Sequence, residues 1–278
     1  MTRNLELGAF LRSRRARLDP RVLSLVTARG RRVPGLRREE LAELAGVSTD
    51  YYTRLEQGRQ PTASVGVLNA LASALQLTDD EQLYLVSLAN APVAPALKPR
   101  TAASSARPST YRLMQLLRTA PAILLGRRTD ILAANDAARR VFTDFQALPA
   151  RERNATRWVV LDKQARQLHG DEWETIVGEM VGMLRLDAGR HPNDARTAEL
   201  IDELSASSSV FSRLWADRRV SSRLREYKTL HHPVAGALEV CVEVMAIPGA
   251  AEQTLHIMMP EAGSVSEDAI RALVSASN

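Results

Sequence analysis

The sequence predicts a multidomain chain, helical in its N-terminal domain and α+β in its C-terminal domain. Three observations carry that prediction. Apolar residues recur three and four apart through residues 1–91, the helical period. Strand-like runs enter only later, as short apolar segments at 122–126 (AILLG) and 130–134 (DILAA) and as period-two alternation over 237–247. Between the two regimes lies PVAPALKPRTAASSARPST, residues 92–110, rich in Pro, Ala, Ser and Thr and without an amphipathic period. The expected division is a helical domain over 1–91, a linker over 92–110, a sheet-and-helix domain over 111–262 and a C-terminal tail over 263–278. The linker reads as extended, reaching at most ~60 Å at about 3.1 Å per residue.

Taking the helical part in order, Leu5 to Leu18 places Leu7, Phe10, Leu11 and Leu18 on one side, with Arg12, Arg14, Arg15 and Arg17 around them. Asp19-Pro20 closes it. An Arg-rich stretch follows, in which Arg29, Arg31, Arg32, Arg37 and Arg38 suit contacts to phosphate. Next come two short helices. Leu41, Leu44 and Ala45 share a face, Gly46 ends the first helix and Val47 fills the turn. Ser48 stands where its hydroxyl can cap the second helix. That helix turns Tyr52 and Leu55 inward and stops at Gly58. A close crossing of this kind is a helix-turn-helix, whose second helix enters the DNA major groove. Ser64 to Leu77, with Val67, Leu68, Leu71, Ala74 and Leu75, and Asp79 to Asn90, with Leu83, Val86 and Leu88, complete five helices. The last opens on Thr78-Asp79-Asp80-Glu81, a capping signal.

GLRREELAELAGVSTDYYTRLEQGR, residues 35–59, resembles the helix-turn-helix of the xenobiotic-response-element (XRE) family of bacterial regulators, related to lambda-type phage repressors. The resemblance implies double-stranded DNA as partner. It puts Thr49, Asp50 and Arg54 outward for base reading, with Ser48 and Tyr51 near the backbone and Arg59 and Gln60 suited to phosphates. Arg54 is the leading candidate, because a guanidinium can grip guanine O6 and N7 together. Asp50 can accept from cytosine N4 or orient Arg54 one turn away.

Charge and composition agree with a nucleic-acid module. Residues 1–60 hold 13 Arg against 7 Asp or Glu, a balance of +6, while the remaining chain balances at −1. Only Lys98, Lys163 and Lys228 are lysines, a bias that hints at a GC-rich genome. No apolar run approaches the ~20 residues of a membrane span, and the N-terminus MTRNLELGAFLRSRR has no apolar signal core. The expected location is cytoplasmic, on the nucleoid. A lone Cys241 excludes an intramolecular disulfide framework and a cysteine-rich zinc site.

In the C-terminal part, AILLG and DILAA read as strands joined by a turn at Arg127-Arg128. Asn135 to Phe145 reads as a helix burying Val141 and Phe142. Glu172 to Asp187 is a strongly amphipathic helix, with Trp173, Ile176, Val177, Met180, Val181 and Leu184 on one face. Thr197 to Leu204 and Val210 to Asp217 give two more. Glu226 to His231, Ala237 to Ile247 and Thr254 to Met259 are strand-like. In the middle run Leu238, Val240, Val242, Val244 and Ala246 alternate with Glu239, Cys241, Glu243 and Met245. The expected fold is an antiparallel sheet covered by helices on one face. His231 and His232 are adjacent on a strand and point to opposite faces, so no metal site is expected there.

The succession PAILL, DILAAND, RERN, MLRLDAGRHPND, FSRLWADRRV and HHPVAGALEVCVEVMAIPG resembles the MmyB-like ligand-binding domain of actinobacterial regulators, over about residues 110–262. The resemblance implies a PAS-like fold and a small-molecule pocket between sheet and helices, suited to a fatty-acid-like effector. Many relatives carry Trp where Thr129 or Ala134 stands here, and aromatic content is only 4%, so the ligand can differ from theirs. Asn135, Arg153, Asn154, Arg185, Trp215 and His232 match the family's motif and are the candidate ligand residues. A carboxylate ligand would need a cation at the mouth of the pocket and apolar walls behind it.

No GxSxG elbow and no Gly-rich phosphate loop occurs, and Cys241 has no evident base nearby. No enzyme activity and no cofactor are expected. The function expected is a homodimeric, ligand-responsive, sequence-specific DNA-binding transcriptional regulator. The alternative is a DNA-binding adaptor whose C-terminal domain recruits a protein partner. An enclosed cavity would favour the first, an exposed apolar groove the second.

Overall fold

The computed structural model describes residues 4–20, 35–60, 62–89, 105–218, 226–250 and 252–276. Arg29, Arg31, Arg32 and most of the expected linker lie outside the described residues. The chain divides into two compact units, one built on its first 94 residues and the other holding most of the remainder.

The first unit has five helices: α1 (Leu5–Arg17), α2 (Arg38–Leu44), α3 (Thr49–Glu56), α4 (Val65–Ala74) and α5 (Asp79–Ala89). Leu7, Phe10, Leu11, Leu36, Leu41, Tyr52, Leu55, Leu68, Leu71 and Leu85 form its buried core. Two glycines set the closeness of α1 to α3. A Cβ on Gly8 would lie 2.3 Å from the Glu56 carbonyl oxygen, and one on Gly58 would lie 2.7 Å from that of Asn4. Two residues depart from the expected faces. Leu44 is 41% exposed, because Leu41, Ala42 and Ala45 already fill the contact side of the seven-residue α2. Leu83 is 59% exposed. The Tyr84 ring meets Phe10 edge-on at 5.1 Å, and this sets the rotation of α5 so that Tyr84 and Leu85 point inward instead.

The second unit is a five-stranded sheet in the order β2-β1-β5-β4-β3, every neighbouring pair antiparallel. Its strands are β1 (Ala122–Leu125), β2 (Ile131–Ala134), β3 (Tyr227–His232), β4 (Gly236–Ala246) and β5 (Thr254–Met259). Between β2 and β3 run α7 (Asp136–Val141), α8 (Ala155–Leu161), α9 (Lys163–His169), α10 (Trp173–Arg190), α11 (Ala195–Ser207) and α12 (Ser209–Ala216). The larger core packs Ile123, Leu125, Leu230, Leu238 and Val240 of the sheet against Val141, Trp158, Leu168 and the apolar face of α10. All six residues expected on that face are buried.

The opposite face is not bare, contrary to expectation. A helix at Pro108–Leu116, α6, brings Met114 onto Ala122, Leu124, Ala133, Leu255 and Ile257. Pro108 opens this helix at a position where a missing N–H costs nothing, so the end of the stretch expected as linker is helical. The stretch 263–278, expected as a tail, holds a helix at Val265–Ser275, α13, capped by Ser264, with Ile270 fully buried in the larger core. Alternation along β4 buries Leu238, Val240 and Val242, but Val244 is 44% exposed.

Candidate DNA-reading helix and ligand cavity

In the turn between α2 and α3, Gly46 takes φ +63°, a left-handed conformation that glycine adopts without steric cost. The N–H groups of Gly46 and Val47 donate to the carbonyls of Glu43 (3.1 Å) and Ala42 (3.0 Å), closing α2. At its other end the Glu40 carboxylate accepts from the Arg37 N–H at 2.7 Å. Ser48 caps α3, its hydroxyl accepting from the Tyr51 N–H at 3.2 Å. Helix α3 buries Tyr52, Leu55 and Glu56. Thr49, Asp50 and Arg54 are exposed, and Tyr51 is half-buried. Arg54 and Asp50 form an exposed ion pair at 3.1 Å across one turn. Arg59 is exposed, and the half-buried Gln60 donates to the Thr62 carbonyl at 3.2 Å.

Glu56 fixes this helix from behind. Its carboxylate, fully buried, is gripped by Arg15 through Nε (2.8 Å) and Nη2 (3.0 Å) and by Arg38 through Nε (3.0 Å) and Nη2 (2.8 Å). Burial by itself would raise the Glu56 pKa, but the hydrogen bonds and charge of Arg15, with Arg38 added, hold it below its ordinary value. Burial and the nearby Glu56 charge push the Tyr52 hydroxyl up. Arg38, expected at phosphate, is therefore half-exposed and already engaged with Glu56. The sequence signal that could have found this hub is a carboxylate next to Leu55 on the inward face of α3, with Arg15 among the bases of α1.

In the second unit an apolar cavity lies between the sheet and α8, α9 and α10. Ile123, Leu125, Phe142, Phe145, Trp158, Ile176, Met180, Leu230, Val240, Val242 and Met258 contribute apolar wall. Its free volume is about 80 Å³, small beside the ~300–1,000 Å³ of drug-sized pockets. Met180 and Met258, unbranched and flexible, are the walls best able to give way. Three ionisable side chains also line it: His169, Lys228 and His256. Lys228 Nζ pairs with Glu179 of α10 at 2.6 Å, both side chains about nine-tenths buried. Burial, and secondarily the Lys228 charge, push both imidazoles down to about 4, so both are neutral near pH 7. His256 shares a 3.0 Å hydrogen bond with the Thr254 hydroxyl. The indole N–H of Trp158 is buried with no hydrogen-bond partner among the described residues, an arrangement that costs roughly 1–3 kcal/mol.

The family model described as the MmyB-like transcription regulator ligand binding domain matches residues 106–273, more than half of the chain. The chain belongs to the MmyB-like transcription regulators. A helix-turn-helix domain model also matches residues 6–85 of this regulator. No curated protein matches it. The regulator thus joins a DNA-binding helix-turn-helix to a ligand-sensing domain, and no described helix is long and apolar enough to cross a membrane.

None of the six candidate ligand residues of the regulator lines the apolar cavity, and Asn154 lines a separate polar cleft beside Arg128 and Asp130. The Asn135 side chain, 1% exposed, accepts from the Ala122 and Ala138 N–H groups and donates to the carbonyls of Met114, Leu117 and Ala120. It ties α6, β1 and α7 together. Arg153 donates to the carbonyls of Leu148 and Gln146. Asn154 caps α8 and donates to the Arg128 carbonyl and to Asp130. That grip holds Arg128 and Thr129 in the left-handed region. Arg185 stacks 4.0 Å over Trp215 and donates to its carbonyl. His232 accepts the Val234 and Ala235 N–H groups at Nδ1, leaving Nε2 to donate to the Arg140 carbonyl. The side-chain polar atoms of Asn135, Arg153, Asn154 and His232 are thus engaged in holding the fold. Lys228, His169 and His256, which sequence reasoning did not single out, line the cavity, with Glu179 paired to Lys228 behind it.

Proposed function

We propose that this regulator reads a specific duplex operator through α3 and that a small lipophilic molecule in the cavity changes its operator affinity. The observation that carries the proposal is the face of α3. Buried contacts of Tyr52, Leu55 and Glu56 fix the helix, while Thr49, Asp50 and Arg54 remain exposed. The flanking Arg37, Ser48, Tyr51, Arg59 and Gln60 supply the positioning contacts to phosphate and sugar, which set register and not sequence, joined by Arg38 only through the guanidinium edge that does not bond Glu56. Base reading falls chiefly to Arg54. The Asp50 ion pair supports the reading in which Asp50 orients that guanidinium.

A homodimer on a pseudo-palindromic operator, with half-sites about one helical turn or ~34 Å apart, suits a helix-turn-helix of this kind. The effector acts by differential affinity for the DNA-competent and incompetent states. An apolar cavity lying between the sheet and its covering helices supports this sensor reading over a protein-recruiting adaptor. It is also why we read the second unit as a binding domain and not as an enzyme.

The test is a set of binding isotherms on operator and random duplexes, with the co-purified small molecule retained or extracted. Arg54→Ala should lose roughly 1–3 kcal/mol on operator, relax specificity at about one base pair, and change random-duplex binding little. Equal losses on both duplexes would remove the base-reading role. Operator affinity unchanged by loading or stripping the small molecule would remove the sensor role.

A further inference from the structure

The ligand cavity of the proposed sensor has walls of hydrocarbon, and the charge state of its few polar groups restricts what can enter. Lys228 is the one lysine or arginine among the described lining residues, and its ammonium already has a carboxylate at 2.6 Å. The other ionisable lining groups are the imidazoles of His169 on α9 and His256 on β5. Both are neutral near pH 7, so neither offers an anion a counter-charge. Bringing a further carboxylate into such a space means burying an uncompensated charge, which apolar surroundings strongly oppose. Displacing Glu179 from Lys228 instead would only transfer the same problem to Glu179.

Hydrogen-bonding capacity, by contrast, is available. The Trp158 indole N–H is buried without a hydrogen-bond partner among the described residues, and Trp158 itself lines the cavity. His169 has a ring contact with Trp158 at 6.4 Å, and its side chain has no hydrogen bond among the described residues. A neutral imidazole offers one donor and one acceptor. An oxygen that carries no charge can meet these groups without a counter-ion.

We propose that the cavity selects an uncharged, largely apolar molecule with one hydrogen-bonding oxygen, such as an alcohol, ketone or ester, and discriminates against the matching carboxylate. Trp158 and His169 are assigned to that oxygen, and the Lys228–Glu179 pair is the element that excludes the acid. This inference rests on the sensor reading and narrows its ligand class, turning away from the fatty-acid end of the lipophilic range.

The experiment titrates the full chain, stripped of small molecules, with octanol, octanone and octanoate by isothermal calorimetry at pH 6, 7 and 8. Octanol or octanone should bind at least about tenfold more tightly than octanoate at pH 7, with an affinity that does not depend on pH over this range. Octanoate should enter only with a proton. Its affinity should then fall about tenfold per pH unit, and its binding heat should depend on the buffer in the way proton uptake requires. The groups able to take that proton are the ligand itself, Glu179, His169 and His256. In Glu179→Gln, Lys228 is left with a charge to offer, and the ratio of octanoate to octanol affinity should rise about tenfold or more. Because the wild-type proton linkage needs no variant, a poorly folded Glu179→Gln would not spare the proposal. Octanoate binding as tightly as octanol at pH 8 without proton uptake would overturn this inference and leave the sensor standing. Binding of none of the three probes would overturn both.

Discussion

Glu56 sits where α1, α2 and α3 meet, and the helix proposed to read DNA inherits its position from that carboxylate. Breaking a buried pair by removing one partner costs more than the pair contributes net, because it leaves charge without compensation. Glu56→Gln should therefore destabilise the first unit by about 3–5 kcal/mol, read as a lowered midpoint in urea followed by circular dichroism. The pH dependence has a definite sign. With its folded pKa below the ordinary 4.5, Glu56 contributes its full stabilisation above that value and loses it as pH falls through the lowered one. A Glu56→Gln variant with an unchanged midpoint at pH 7 would count against the hub. Side chains such as Glu56 and Asn135 were hard to read from sequence for one reason. A polar residue fully used inside the fold carries the same letter as one waiting for a ligand, and only the partners across the fold distinguish them.

At the scale of elements, what was legible followed length and period. Helix α10 turns five times and keeps one face apolar, so its buried side was evident from spacing. The seven-residue α8 and α9 give barely two turns, too few to establish a period, and both escaped. Helix α6 was hidden by composition, since its Pro and Ser belong equally to a helix start and to a linker. The phase of α5 depended on Tyr84 meeting Phe10, a contact between residues far apart in the chain. The cavity was the least legible feature, because its polar members come from α8, α9, β3 and β5 and converge only through the sheet order. Close approach of elements also gives a prediction. Gly8→Ala would drive a methyl into the backbone of α3 and should destabilise the first unit by about 1–3 kcal/mol. Thermal unfolding checks it, and an unshifted midpoint would show that α1 can retreat without cost.

Over the whole molecule, the two units should respond to acid in different ranges. His169 and His256 each fall from an ordinary 6.5 to about 4 in the folded state. Their neutral burial is fully stabilising above pH 6.5, and the contribution is lost as pH drops from there toward 4, by at most about 3 kcal/mol for each imidazole. The second unit should weaken across that window, while the Glu56 contribution to the first persists until lower pH. Urea midpoints at pH 7 and 5, followed by tryptophan fluorescence, check this, since all three tryptophans lie beyond residue 150. Equal midpoints at the two pH values would be inconsistent with neutral, buried histidines. The sheet order has a consequence for biosynthesis. Strand β1 pairs with β5, whose first residue lies more than 120 positions further along the chain. At about 5–20 residues per second, the ribosome delivers that partner several seconds to nearly half a minute after β1. The helices of the first unit, all encoded within residues 5–89, can close long before then. A nascent chain can thus complete its helix-turn-helix unit before the sheet of its ligand-binding domain has all its strands.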